Sequence, residues 1–119
     1  MLTLVDTSVW VDHFRYGSDR LETLLLEDRV LCHPFVIGEL ACGNLSNRGQ
    51  LLTLLSALPA CPVVEHAEAL HFMEHHRLYG QGLGWVDLHL LASAVVGKCR
   101  LWTVDVPLRK AATLLGIAG

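Results

Sequence analysis

Leu2-Thr3-Leu4-Val5-Asp6-Thr7-Ser8-Val9-Trp10 passes from a short apolar run through an acid and two hydroxyl residues into a helical pattern. Leu2–Val5 reads as a strand, and Val9, Trp10 and Phe14 recur after it at helical spacing. The stretch is a strand-to-helix unit with an aspartate at the strand's carboxyl end. Three further runs carry a strand signal: Val30–Cys32, Pro62–Val64 and Arg100–Val104. Helical spacing fills the intervals. Leu21, Leu24 and Leu25 predict a helix ending near Asp28, and Phe35, Val36, Leu40 and Cys42 follow Pro34, which suits a first helical turn. Leu51, Leu54, Leu55 and Leu58 predict a fourth helix stopped by Pro59, and Ala67–Leu78 a fifth. Gly80–Gly84 reads as a loop. Val86–Val96 is apolar almost all round, which predicts a helix packed on both sides, and a last helix runs from about Pro107 to Leu115. Strands alternating with helices imply parallel pairing by right-handed crossovers. The expected fold is therefore α/β, a three-layer α/β/α sandwich on a short central parallel sheet.

A chain of 119 residues suits one domain spanning 1–119, so all motifs are expected to serve one site. Hydrophobic residues make up 52% and charged residues 18%, with a mean hydropathy of +0.41. Part of this apolar surplus is expected to cover a partner surface. No apolar run reaches the roughly 18–20 residues of a membrane span, and no basic segment leads into an apolar one at the N-terminus. A cytoplasmic location without membrane attachment is the expectation. Cys32, Cys42, Cys61 and Cys99 lack metal or redox spacing and read as free, mostly buried thiols. The net charge of −3 opposes simple binding to a polyanion, so a nucleic-acid ligand needs another source of attraction.

Four acids supply one. Asp6 and Asp105 end separate strands, and ligands of open parallel sheets gather beyond the strands' carboxyl ends. Asp87 lies in the first turn of the apolar helix, where the helix dipole favours an anion, and follows the glycine loop. Glu39 stands among Phe35, Val36, Ile37, Leu40 and Cys42, which predicts a buried carboxylate that is neutral, paired or bound to a cation. Oxygen ligands without a matching His or Cys set point to Mg²⁺, with Mn²⁺ as the alternative. Such an ion suits phosphodiester hydrolysis, because it activates water and neutralises charge in the transition state. A loaded site attracts phosphate, with Arg77, Lys98, Arg100, Arg109 and Lys110 as a modest basic rim.

Val5-Asp6-Thr7-Ser8-Val9-Trp10, Ile37-Gly38-Glu39-Leu40, Gly84-Trp85-Val86-Asp87 with Leu90-Leu91-Ala92-Ser93-Ala94, and Leu101-Trp102-Thr103-Val104-Asp105 together resemble the PIN-domain nucleases. More narrowly they resemble the VapC toxins of bacterial toxin–antitoxin pairs. The resemblance spans nearly the whole chain in order. It implies a Mg²⁺-dependent endoribonuclease, a homodimer, and a VapB-type antitoxin that occupies the site with a basic side chain. Asp6, Glu39, Asp87 and Asp105 fall on the family's acidic positions, and Ser8 and Thr103 on polar positions where they can orient ligands or water. Val106-Pro107-Leu108 departs from members that place another acid or an aromatic after the last aspartate. That leaves one ion, or a second that arrives with substrate.

Simpler roles exist for each acid. Asp6 and Asp105 can cap the helices that follow them, and Asp87 can be a favourable first-turn residue. Asp12 is expected to face solvent. His71 and His75 lie one turn apart but lack a His-Glu-x-x-His pattern and read as surface. Trp10, Trp85 and Trp102 read as packing residues, and Gly80, Gly82 and Gly84 lack the context of a phosphate loop. A phosphoacceptor receiver needs an Asp near mid-chain, and none occurs from Arg29 to Val86. An aspartyl phosphatase would want an acid where Ser8 stands. The alternative outside enzymes is a catalytically silent PIN-like interaction module.

Overall fold

A computed structural model describes residues 1–119. Three strands, β1 (Thr3–Val5), β2 (Val30–Leu31) and β3 (Arg100–Trp102), form a parallel sheet in the order β2-β1-β3. Leu4 of the central strand pairs with Leu31 on one side and Leu101 on the other. Thr3, Leu4 and Val5 are 4%, 0% and 0% exposed. Successive strand residues point to opposite faces, so burial of all three means that both faces of the sheet are covered.

The cover consists of α1 (Thr7–Tyr16), α2 (Asp19–Leu26), α3 (Pro34–Ala41), α4 (Arg48–Ala57), α5 (His66–His75), α6 (Trp85–Gly97) and α7 (Val106–Leu114). The three layers match the expected α/β/α arrangement. α3 packs against α1 and α4, while α6 packs against α5, α7 and β3. Leu88 through Ala94 of α6 are all buried, as a helix clasped from both sides requires. Local chemistry sets several helix starts. The Ser18 hydroxyl accepts from the Leu21 N–H at 3.2 Å, and His33 Nδ1 accepts from the Phe35 N–H at 3.0 Å ahead of Pro34. No helix is long and apolar enough to cross a membrane.

One expected strand is absent. Pro62–Val64 lies outside any strand, and beside β2 the chain forms only an isolated parallel bridge between Cys32 and Ala60. Pro62 has no N–H to extend that pairing. Its ring instead packs on α6, where a Cβ placed on Gly97 would lie 3.0 Å from Pro62 Cδ. On the opposite edge, Leu101 bridges Ala118, so the chain's last residues lie beside β3.

Candidate active site

Asp6 leaves β1 as α1 begins. Its N–H donates to the Trp102 carbonyl at 2.9 Å, and its own carbonyl accepts from Val9 and Trp10 at the start of the helix. The side chain makes no capping bond, although it is only 6% exposed. It is held instead by two hydroxyls: Ser8 Oγ and Thr103 Oγ1 both donate to Asp6 Oδ2, at 2.7 and 2.8 Å. Each hydroxyl also accepts a backbone N–H, from Val104 at 3.2 Å and from Asp105 at 3.0 Å. Because those lone pairs are engaged, the hydroxyl protons are directed at Asp6. Residues just past β3 thus orient the acid that ends β1.

Asp105, exposed at the start of α7, does cap its helix, with Oδ2 accepting from the Leu108 N–H at 3.2 Å. Asp87 in the first turn of α6 accepts the Gly84 N–H through Oδ2 at 2.8 Å. Gly82 brings the preceding loop against Pro107 of α7 in a left-handed conformation, φ +78°, that a side chain would resist. The simple structural roles are thus filled at Asp87 and Asp105, each through one carboxylate oxygen. One oxygen serves the fold and the other is free.

Glu39 corrects the expectation of a buried carboxylate. α3 buries Val36 and Leu40, one turn apart, while Glu39 is exposed. Its apolar neighbours face the core without enclosing it, so desolvation gives no argument for a cation there. Its place in the site rests on geometry: Thr7 Oγ1 donates to Glu39 Oε1 at 2.6 Å, joining α3 to the residue after Asp6. Sequence reasoning missed Thr7. The available signal was its position between Asp6 and Ser8 in the same turn.

Asp87 senses the other three acids. Partial burial pushes its carboxyl above the ordinary carboxylate range, the Gly84 N–H opposes this, and the charges of Asp6, Asp105 and Glu39 raise it further. No cation offsets the cluster, since the chain's one ion pair joins Arg29 to Glu27 at 3.5 Å. Arg109, expected on the basic rim, turns back to the Thr103 carbonyl at 3.4 Å. Each acid thus has one oxygen fixed by the protein's own donors and one without such a bond. No group of three His, Cys, Asp or Glu side chains is drawn together closely enough to hold a metal ion by itself. An open, all-oxygen set of like charges fits a hard divalent ion that shares its coordination with water and substrate, the habit of Mg²⁺. His71 and His75 of α5 are exposed, with their rings stacked at 6.0 Å, and Cys32, Cys61 and Cys99 are buried free thiols.

Comparisons with known proteins give the family and the fold. The family model of the PIN domain matches residues 3–114. Ribonuclease VapC32, from two strains of Mycobacterium tuberculosis, is 48% identical over 118 residues, covering 98% of this chain and 95% of the relative. The crystal structure of FitAcB from Neisseria gonorrhoeae shares the fold, with a TM-score of 0.68, 22% identity and 94% of each chain covered.

Proposed function

The chain belongs to the PIN domain family, and from that premise we propose that it is a Mg²⁺-dependent endoribonuclease and the toxin of a bacterial toxin–antitoxin pair. The observation that carries the reading is the cluster of Asp6, Glu39, Asp87 and Asp105, which lacks a protein cation and leaves one oxygen of each acid free. The similarity to a named ribonuclease over almost the whole chain supports the reaction class.

Asp6, Asp87 and Asp105 are the proposed ion ligands, and Glu39 completes the site or positions water. When bound, the ion supplies charge neutralisation for the phosphate and lowers the pKa of the attacking water. The chain's own residues do the orienting. Ser8 and Thr103 hold Asp6 Oδ2 and so set the direction of its free oxygen, and Thr7 does the same for Glu39. Gly84 and Leu108 anchor the other two acids through backbone N–H groups. With like charges around it, a carboxylate near the scissile phosphate can accept a proton from water. Mn²⁺ suits the same oxygen set.

The partners follow from the same premise. RNA is the substrate, a VapB-type antitoxin covers the site, and two copies associate as a homodimer. Exposed Val63, Leu70 and Val96 on or beside α5 and α6 provide apolar surface for association, and the solution mass tests it. The deciding experiment incubates the protein with RNA and Mg²⁺, with and without chelator, beside an Asp6→Asn variant. Cleavage that requires both ion and carboxylate is expected. Full activity after both Asp6→Asn and Asp87→Asn would sink the proposal, and a folded chain that never cuts RNA would be the silent interaction module instead.

A further inference from the structure

The acidic cluster opens sideways into a second feature. A cavity of about 560 Å³ lies between α1 and the segment that joins α3 to α4, and Thr7 and Glu39, the hydrogen-bonded pair at the edge of the acids, are part of its wall. That volume falls within the roughly 300–1,000 Å³ of small-ligand sites.

The rest of the wall mixes apolar side chains, Val11, Leu40, Leu45 and Leu51 among them, with polar groups that the fold leaves unused. Arg15 stands near the end of α1 without a carboxylate partner. In the segment before α4, the side chains of Asn44, Ser46 and Asn47 make no hydrogen bond within the protein, while Arg48, the first residue of α4, donates to the Gly43 carbonyl at 3.2 Å. Asn47 is the informative one. It precedes α4 where an asparagine normally caps the helix, yet its backbone is left-handed at φ +54° and its side chain does not cap. The amide is left on the cavity wall. Phe14, half-buried on α1, adds an aromatic ring to the same lining.

We infer that this cavity is the subsite for the single-stranded RNA nucleotide next to the scissile bond, with Arg15 binding the adjoining phosphate and Asn44, Ser46 and Asn47 reading the base edge beside Phe14. The inference rests on the ribonuclease reading and extends it to substrate binding. Its physical basis is complementarity. Amide side chains offer a donor and an acceptor each, as a base edge does, and unstacked bases are read by such groups together with aromatic rings. Asp6 precedes α1 and Arg15 stands near the other end of that helix on the same cavity wall as Thr7, so one phosphate can sit among the acids and their ion while its neighbour meets a guanidinium. A basic peptide segment is the competing occupant, and Arg15 would repel it.

The test uses the full chain carrying Asp6→Asn, with Mg²⁺, and a short fluorescein-labelled single-stranded RNA of mixed sequence read by anisotropy across a salt series. Adding Arg15→Ala is expected to weaken binding by about tenfold. It should also lower the slope of log affinity against log salt by about 0.7, one phosphate contact on a single strand. In the otherwise unaltered chain, Asn44→Ala is expected to change which nucleotides flank the cut sites. Both positions are exposed, and far-ultraviolet circular dichroism verifies that the variants fold. If the unaltered protein cuts RNA while Arg15→Ala leaves affinity and salt slope unchanged and Asn44→Ala leaves the cut sites unchanged, the subsite is wrong and the ribonuclease reading stands. If Arg15→Ala spares RNA binding but changes affinity for a lysine- and arginine-rich peptide, the cavity belongs to a protein partner and the inference falls. A chain that neither binds nor cuts RNA overturns both.

Discussion

Asp87 is pulled two ways if it is the ion ligand proposed, because the charge that role requires is unwelcome in the ion-free protein. Its carboxyl is raised above the ordinary aspartate range by burial and by the three neighbouring acids, against the pull of the Gly84 N–H. An acid that ionises less readily when folded removes stability as pH rises through this raised range, so at neutral pH the charge is destabilising. Asp87→Asn, whose amide oxygen can still accept from Gly84, is expected to abolish cleavage while stabilising the ion-free protein by on the order of 0.5 kcal/mol after solvent screening. Thermal unfolding in chelator, beside a cleavage assay, measures both halves. Thr103→Val tests the orienting hydroxyls. It removes one donor from Asp6 and the acceptor of the Asp105 N–H, so stability should drop by about 1–2 kcal/mol and kcat should fall while KM changes little. At this scale the identities of the acids were legible in the sequence. Which oxygen each one keeps free was not, because that depends on donors such as Thr103 that lie far along the chain from Asp6.

Helix starts carry the next set of constraints. Asp105 caps α7 and is also a proposed ion ligand, and two substitutions separate these roles. Asp105→Asn keeps an acceptor for the Leu108 N–H and should lose activity at nearly unchanged stability, whereas Asp105→Ala should lose activity and about 1 kcal/mol. Equal stability of the two variants in urea would contradict the cap assignment. His33, fully buried, starts α3 through Nδ1, and burial followed by the nearby charge of His89 lowers its pKa from 6.5 to about 4. A depressed histidine contributes stability that is complete above its unfolded pKa. That contribution declines as pH falls from about 6.5 toward about 4, by at most about 3 kcal/mol. His33→Asn retains the cap but not the titration. Its urea midpoint should therefore vary less across that window than the parent's, even though the lost imidazole lowers stability at neutral pH. Most helices were readable from apolar spacing and from Pro34 and Pro107. Pro62–Val64 was not, because its apolar run resembles a strand while the missing N–H and the contact with Gly97 keep it out of the sheet.

The molecule as a whole depends on β1, whose residues are enclosed between strands on either side and helices above and below. Leu4→Ala should therefore destabilise by about 2–5 kcal/mol, more than any site substitution, with a proportional loss of the urea midpoint. It should also impair cleavage, since β1 and β3 together place Asp6, Thr103 and Asp105. The sequence by itself determined the alternation of strands and helices, the parallel layered fold and the positions of three acids at strand ends and a first helical turn, with Glu39 as the fourth on a helix. These depend on periodicity and capping within a few residues, which a linear chain displays. Only the tertiary structure decided that Glu39 is exposed and tied to Thr7, that Ser8 and Thr103 share Asp6, and that a cavity with an uncommitted arginine adjoins the acids. The physical reason is that burial and hydrogen-bond pairing depend on which distant segments pack together, and apolar neighbours in sequence, as around Glu39, can all face the core while the residue among them faces water.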